Sequence, residues 1–244
     1  MNPFISAFNT VLYQPLFNSL ILIYLYLPGH DFGIAVIVLT ILLKLVLYPL
    51  GVRAIRSQKS LAQLQPKMKE VQEKFKDNKE QQSRAMMELY KKEKINPLSG
   101  CLPLIIQLPI LIGLYQVFWK GFGEAQLKFL YGFVPNPGQI DTTFLGMMDL
   151  SHPSIFLAVL TGIAQFFQSK MMVLQSGSGQ APKKKGTPDF SQMMQKQMLY
   201  LFPIFTVVIL WRLPAAVALY WLTTTLFTII QQYIILKKHD FPRI

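Results

Sequence analysis

Acidic side chains are scarce in this sequence. Twelve Asp and Glu stand against 24 Lys and Arg in 244 residues, and charged residues of both signs make up only 15% of the chain. A soluble domain carries about 25% charged residues, so a chain this poor in charge lacks the polar surface that keeps such a domain in water. One cysteine, Cys101, excludes an intramolecular disulfide framework and a cysteine-based metal site. His30, His152 and His239 are too scattered to form a ligand cluster. The chain also lacks a P-loop, a Gly-x-Ser-x-Gly elbow and a carboxylate pair within an apolar run, which argues against a membrane-embedded enzyme. No Asp or Glu falls at membrane depth, where a proton- or cation-coupled transporter would place one. Matching halves with interrupted helices, the mark of many solute transporters, are absent as well.

What the chain has in quantity is apolar sequence: 52% hydrophobic, 13% aromatic, mean hydropathy +0.34. Four runs approach the roughly 20 residues needed to cross a bilayer, at about 33–50, 101–119, 153–173 and 215–236, with a shorter fifth at 197–211. Basic residues between them set the orientation, because Lys and Arg concentrate in cytoplasmic loops. The segment 52–98 holds twelve, from Arg53 to Lys94, and 174–196 holds Lys183, Lys184, Lys185 and Lys196. The tail has Lys237, Lys238 and Arg243. These face inward. The stretch 120–152 has only Lys120 and Lys128, and the turn after the fourth span only Arg212, so these face outward. The net charge of +12 is therefore mainly topology, and direct nucleic-acid recognition is not expected.

The expected fold is an all-α integral membrane protein of five transmembrane helices, with an outside N-terminus and a cytoplasmic C-terminus. Residues 1–32 form an outer-face amphipathic segment, because Gln14 and Asn18 fall four apart on one helical face and Pro15 interrupts the run. A sixth crossing by 11–27 is the alternative, and no basic n-region marks a cleavable signal. The first transmembrane helix takes 33–51, a cytoplasmic helical hairpin 52–98, and the other four helices 99–244. This last part includes a Gly/Ser/Pro/Lys linker at 174–190, expected to be mobile, and a short basic tail. In the hairpin, Leu61, Leu64, Met68, Val71 and Phe75 recur at +3, +4, +3, +4 on one helix, and Met86, Leu89 and Tyr90 mark a second. Such a pair either docks a cytoplasmic partner or merely orients the protein. Met171, Met172, Met193, Met194 and Met198 gather near the cytoplasmic side, where thioethers suit varied apolar sequences or simply fill a core.

Lys44 is the residue that most needs explaining. A charge near a membrane helix centre costs about 2.5–3.5 kcal/mol on insertion scales, so it normally faces protein or water. Thr40, Lys44 and Tyr48 share one face at i, i+4, i+8. Similar polar stripes run along Thr161, Gln165 and Gln168 and along Thr224, Thr228 and Gln231, and Gln107 adds one amide from the second span. Converging, these faces would make a hydrophilic cavity whose fixed charge is Lys44. Alternatively, the Thr and Gln side chains hydrogen-bond between helices, and Lys44 snorkels to the headgroups. The fourth span, of about 15 residues, covers roughly 22 Å against a hydrocarbon core of about 30 Å, which suggests a locally thinned bilayer.

Several motifs, taken in order, resemble one family. They are the single basic residue before Tyr48-Pro49-Leu50, then Leu64-Gln65-Pro66, Asn96-Pro97-Leu98-Ser99-Gly100-Cys101-Leu102-Pro103, Gln107-Leu108-Pro109-Ile110, Leu219-Tyr220-Trp221 and Ile230-Gln231-Gln232. Together they resemble the YidC/Oxa-type membrane protein insertases in their short bacterial form, without a large outer domain. The resemblance implies an insertase of the bacterial plasma membrane, needing no cofactor and no nucleotide. Its partners would be nascent membrane proteins, the lipid bilayer, the ribosome and the Sec translocon. It implies a groove open to cytoplasm and lipid but closed to the outside, with Lys44 as its positive charge, Thr40 a turn before it and Trp221 as a lining aromatic. Gln107, Gln165, Gln168 and Thr224 are further groove candidates. The family usually has arginine where this chain has Lys44, which keeps the charge but loses the planar fork. A chaperone that assists Sec without moving tails itself would share the same groove.

Overall fold

The computed structural model describes residues 3–96, 102–174 and 197–237. The Pro97–Cys101 part of one motif, the linker from 175, Met193, Met194 and the tail from Lys238 lie outside the described residues, as does the side chain of Met198. In order, the elements are α1 (Pro3–Phe8), a π-helical turn (Asn9–Tyr13), α2 (Gln14–Tyr26), α3 (Phe32–Val46), α4 (Tyr48–Lys74), α5 (Lys79–Lys92), α6 (Leu102–Lys120), α7 (Glu124–Leu127), β1 (Thr143–Phe144), β2 (Met148–Asp149), α8 (Ile155–Leu174), a π-helical turn (Gln197–Leu201), α9 (Phe202–Leu210) and α10 (Ala215–Lys237). Each expected span overlaps helix among the described residues, the first of them two helices joined at a bend. By length and composition Ile155–Met172 and Ala215–Lys237 suffice to cross a membrane, as does Ile5–Tyr26, while Ile105–Lys120 and Leu199–Leu210 are shorter apolar helices.

The first span differs from its expected bounds. The apolar run continues to Leu50, but the helix stops at Val46 and α4 leaves at 69° to α3. Pro49 has no N–H to donate and crowds the residue before it, so the chain turns where the hydropathy does not change. Gln231 of α10 steadies this corner, its amide reaching the Tyr48 carbonyl at 3.3 Å. Val52 and Ile55 then pack on Ile235 and Leu236.

Beyond the corner α4 and α5 run antiparallel. Lys67 meets Glu93 at 2.5 Å, the Tyr90 hydroxyl points to the Met68 sulfur at 3.8 Å, and the Gln82 amide donates to the Gln72 carbonyl at 3.1 Å. Burial pushes the Tyr90 hydroxyl above its ordinary pKa, so it stays a donor. Leu64 is buried, Leu61, Met68, Val71, Met86 and Leu89 are half-buried, and Phe75 falls at the C-terminal cap of α4. Asn78 caps α5 by accepting from the Gln81 N–H at 3.0 Å.

Gln14 and Asn18 do not face water. Asn18 is 2% exposed; its amide donates to the carbonyls of Gln14 and Phe129 at 2.7 and 2.9 Å, and its oxygen accepts from Tyr131 N–H at 2.7 Å. Gln14 donates to the same Phe129 carbonyl at 3.2 Å. The outward side of the helix carries exposed Ile5, Val11 and Tyr26 instead. Asn18 is a satisfied polar group within an otherwise apolar packed face of Tyr13, Leu16, Phe17, Leu20, Ile21 and Tyr24, and Thr10 and Ser19 are exposed on the other side.

The all-α expectation also needs one small correction. Residues 143–149 form a two-stranded antiparallel ribbon, pairing Thr143 with Asp149 and Phe144 with Met148. Leu145 and Gly146 turn it with positive φ angles of 52° and 65°. Asp31 ties the ribbon to the bundle by capping the Ile34 N–H at 2.8 Å and accepting from Leu145 N–H at 2.6 Å. Phe144 lies over Gly33, where any Cβ would collide with the ring.

The core gathers α2, α3, α6, α8 and α10 at the end that carries residues 121–152. Phe17 stacks on Phe122, and Phe32 meets Phe118 and Phe122 edge to face. At Gly162, α8 closes on α9: an added Cβ would overlap Val207 and approach the Pro203 carbonyl to 3.3 Å. Gly162→Ala is therefore expected to lower stability by about 1–3 kcal/mol, read as a lower thermal midpoint in detergent. Adding Val207→Ala should recover most of the loss, and no recovery would disprove the steric account.

Candidate functional site

Three helices bring polar groups together between α3, α6 and α10. A narrow cavity there is lined by Thr40, Leu43, Lys44, Leu47, Gln107, Ile110, Tyr220 and Thr224. Each polar group has its own reason for being tolerated. Thr40 is buried and bonds back to the Val36 carbonyl at 2.6 Å, the local solution for a hydroxyl inside a helix. The Gln107 amide donates to the Tyr220 hydroxyl, joining α6 to α10. Thr228 donates to the Thr224 carbonyl at 2.8 Å, which turns its oxygen toward Lys44, whose ammonium donates to it at 3.3 Å.

Among the described residues that hydroxyl is the one hydrogen-bond partner of the Lys44 ammonium, which has three protons to donate. The ion pairs among the described residues are Lys67–Glu93, Arg84–Glu80 and His152–Asp149, and none reaches it. Thr224 Oγ1, also in the cavity wall, is buried beside the Tyr220 hydroxyl. The cavity thus offers a positive charge with donors to spare. Next to it along α3 the surface is apolar, with Ile41, Leu42, Leu45 and Val46 exposed, the last to 75%. The arrangement sets a positive charge with spare donors directly beside an apolar surface on the outside of the bundle.

The cavity is blocked toward the 121–152 end. Phe32 lies eight residues before Thr40 on α3, about 12 Å along the axis, and there the rings of Phe17, Phe32, Phe118 and Phe122 fill the bundle.

Of the groove residues expected from sequence, Lys44, Thr40, Gln107 and Thr224 line this cavity. Gln165, Gln168 and Trp221 do not. Gln165 is buried on α8 with its carbonyl oxygen unpartnered among the described residues, near the seam where Thr161 reaches the Ala218 carbonyl at 3.3 Å. Gln168 is half-buried on the same helix, and Trp221 packs half-buried against the core. Tyr48 lies past the corner, and Gln231 serves that corner. Tyr220 was missed as a site residue, although it stands one turn before Thr224 and extends the Thr224–Thr228 stripe. Leu43, Leu47 and Ile110 carried no polar signal at all.

Residues 23–241 match the family described as 60Kd inner membrane protein. The chain belongs to that family. The membrane protein insertase YidC of Fusobacterium nucleatum subsp. nucleatum is 38% identical over 208 residues, which cover 85% of this chain and 87% of that one. The YidC insertase of Francisella tularensis subsp. novicida is 34% identical over 210 residues, 86% of this chain but 33% of that protein. Among solved structures, an active YidC insertase with its first transmembrane domain resolved has a TM-score of 0.58 at 26% identity, covering 91% of this chain and 46% of that one. The chain therefore spans most of the first relative and between a third and a half of the other two. It is a YidC/Oxa-type, multi-pass inner-membrane protein, of a family that is not enzymatic.

Proposed function

We propose that this chain moves hydrophobic segments with short polar tails from the cytoplasm into the bilayer through the Lys44 cavity, without nucleotide hydrolysis. The observation that carries this reading is Lys44 itself, an ammonium without a carboxylate partner among the described residues, in a polar cavity beside exposed apolar helix surface. The tail enters the cavity, where Lys44, Thr224 and Gln107 lower the cost of bringing polar groups part-way across. The hydrophobic segment moves out along the apolar face, and its transfer from water is favourable by about 25 cal/mol per Å². The short α9, with its π-helical start, leaves a thin hydrocarbon layer to cross.

In this topology 52–98 and 174–196 lie in the cytoplasm with the C-terminus, and α4–α5 stands there as a docking hairpin for the ribosome, the Sec translocon or the nascent chain. The helix from Pro3 to Tyr26 lies along the outer interface, with the N-terminus outside. Its middle meets the ends of its neighbours: the ammonium of Lys120, the last residue of α6, sits 4.5 Å from the Tyr13 ring, and Gln14 and Asn18 hold the loop at Phe129 and Tyr131. A helix so placed lies across the bundle's outer end.

The test uses purified protein in liposomes, offered a single-span substrate with a short acidic tail, and reads protease protection. Protection well above empty liposomes is expected without added nucleotide. Protection no better than empty liposomes, with the protein folded, would overturn insertion by this chain alone and favour a chaperone acting beside Sec.

A further inference from the structure

A second cleft, of about 230 Å³, opens at the bundle end that carries residues 121–152, far along the helices from Lys44. Three helix ends build it: Phe118 and Trp119 close α6, Ser151 and Pro153 lead into α8, and Arg212 and Pro214 form the turn between α9 and α10.

Its charge is unspent. Arg212 is exposed and takes part in none of the ion pairs among the described residues. The acidic group nearest in sequence to the cleft wall, Asp149, is occupied: it accepts from Thr142, from the Ser151 N–H and from the Ser151 hydroxyl, and it lies 3.5 Å from His152. Those hydrogen bonds hold its carboxyl below the usual carboxylate range, and the Ser151 hydroxyl is committed to it. The cleft therefore presents one guanidinium between two aromatic rings and two prolines. The backbone around it is fixed, because Ala215 and Ala216 N–H donate to the carbonyls of His152 and Leu150 at 2.9 and 3.0 Å.

Its level in the membrane favours one ligand. Trp119 and Trp211 are exposed at this end, where tryptophan marks the headgroup layer. One to two turns below, Ile112 and Val208 on the same helices are exposed and apolar. A guanidinium above an apolar belt, with its planar fork free, matches a phosphodiester whose own chains are apolar.

We propose that this cleft binds the phosphodiester of one membrane glycerophospholipid, with Arg212 on the phosphate, Trp119 against the glycerol, and the acyl chains along the exposed surfaces of α6 and α9. The site is separate from the Lys44 cavity and holds whichever leaflet this end of the bundle meets. A lipid held there would wedge the α9–α10 turn against α6 and α8, steadying the end of the bundle that closes the cavity.

The experiment is native mass spectrometry of the full chain released from detergent, titrated with phosphatidylglycerol, phosphatidylethanolamine or inorganic phosphate. Wild type is expected to retain one tightly held phospholipid of either headgroup. Arg212→Gln should weaken that first site on the order of tenfold, Arg212→Lys less, and Lys128→Gln not at all. Because Arg212 is exposed and outside the ion pairs, the variant should keep the wild-type thermal midpoint without lipid. Equal retention by Arg212→Gln and wild type would overturn the proposal. So would full displacement of the lipid by millimolar inorganic phosphate, which would mark a free-anion site. Binding of phosphatidylglycerol alone would also overturn it, because recognition would then rest on net lipid charge.

Discussion

Lys44→Gln is expected to lower insertion of an acidic-tailed substrate about tenfold or more in the liposome assay, while Lys44→Arg keeps most of it. A hydrogen bond to a charged group contributes about 1.5–3 kcal/mol, and each 1.4 kcal/mol is a factor of ten. Glutamine is one atom shorter than lysine and keeps an N–H donor but removes the charge, so most of the loss reports electrostatics. Arginine restores the charge in a wider fork with donors of its own for Thr228, whose hydroxyl accepts from Lys44. Lys44→Glu should be worse than Lys44→Gln for the acidic tail, because it adds repulsion where attraction stood. A substrate with an uncharged tail of equal length should lose much less in every variant. If all four proteins insert the acidic tail equally, Lys44 serves only to snorkel, and the cavity's charge has no part in moving substrate.

The second large effect concerns the contact between the N-terminal helix and the loop after α7. Asn18→Leu removes two donated bonds and one accepted bond, and it leaves the Tyr131 N–H with no partner. An unmet buried donor costs about 1–3 kcal/mol, so a loss of about 2 kcal/mol is expected, seen as a lower thermal midpoint and faster proteolysis within 125–142. Gln14 still reaches the Phe129 carbonyl in that variant, and Gln14→Leu combined with Asn18→Leu should therefore cost clearly more than either change alone. Ser19→Leu, on the exposed side of the same helix, should leave both readouts unchanged. A silent Asn18→Leu would mean that the N-terminal helix is held by its apolar contacts alone.

How legible these features are in the sequence depends on where their causes lie. Lys44 and Thr40 share a helical face because of their spacing, and a charge in an apolar run needs an explanation whatever surrounds it. The stripe through Thr224 and Thr228 is local in the same way, and Tyr220 was within reach by one further turn. The corner at Leu47 was hidden because hydropathy runs straight through Tyr48-Pro49-Leu50, and only the backbone chemistry of Pro49 marks it. The inward partners of Gln14 and Asn18 are hidden from the sequence because Phe129 and Tyr131 lie more than a hundred residues away. Gln165 and Gln168 show the converse difficulty, since a polar stripe on a membrane helix does not say which neighbour it meets. Here α8 lies against α9 and α10, so a glutamine facing that seam does not line the Lys44 cavity. The ribbon at 143–149 has strands too short for any alternating pattern to register.

The aromatic block formed by Phe17, Phe32, Phe118 and Phe122 has an electrical consequence. If, as proposed, water enters around Lys44 from the cytoplasm during insertion, the cytoplasmic potential would extend to the foot of these rings, and the voltage across an energised membrane would fall mainly over the packed layer beyond. One elementary charge crossing 100 mV changes in energy by about 2.3 kcal/mol. With the inside negative, the field acts outward on a carboxylate waiting in the cavity, over a short path. The same rings that keep ions from leaking thus concentrate the driving force on the part of the substrate that is hardest to move.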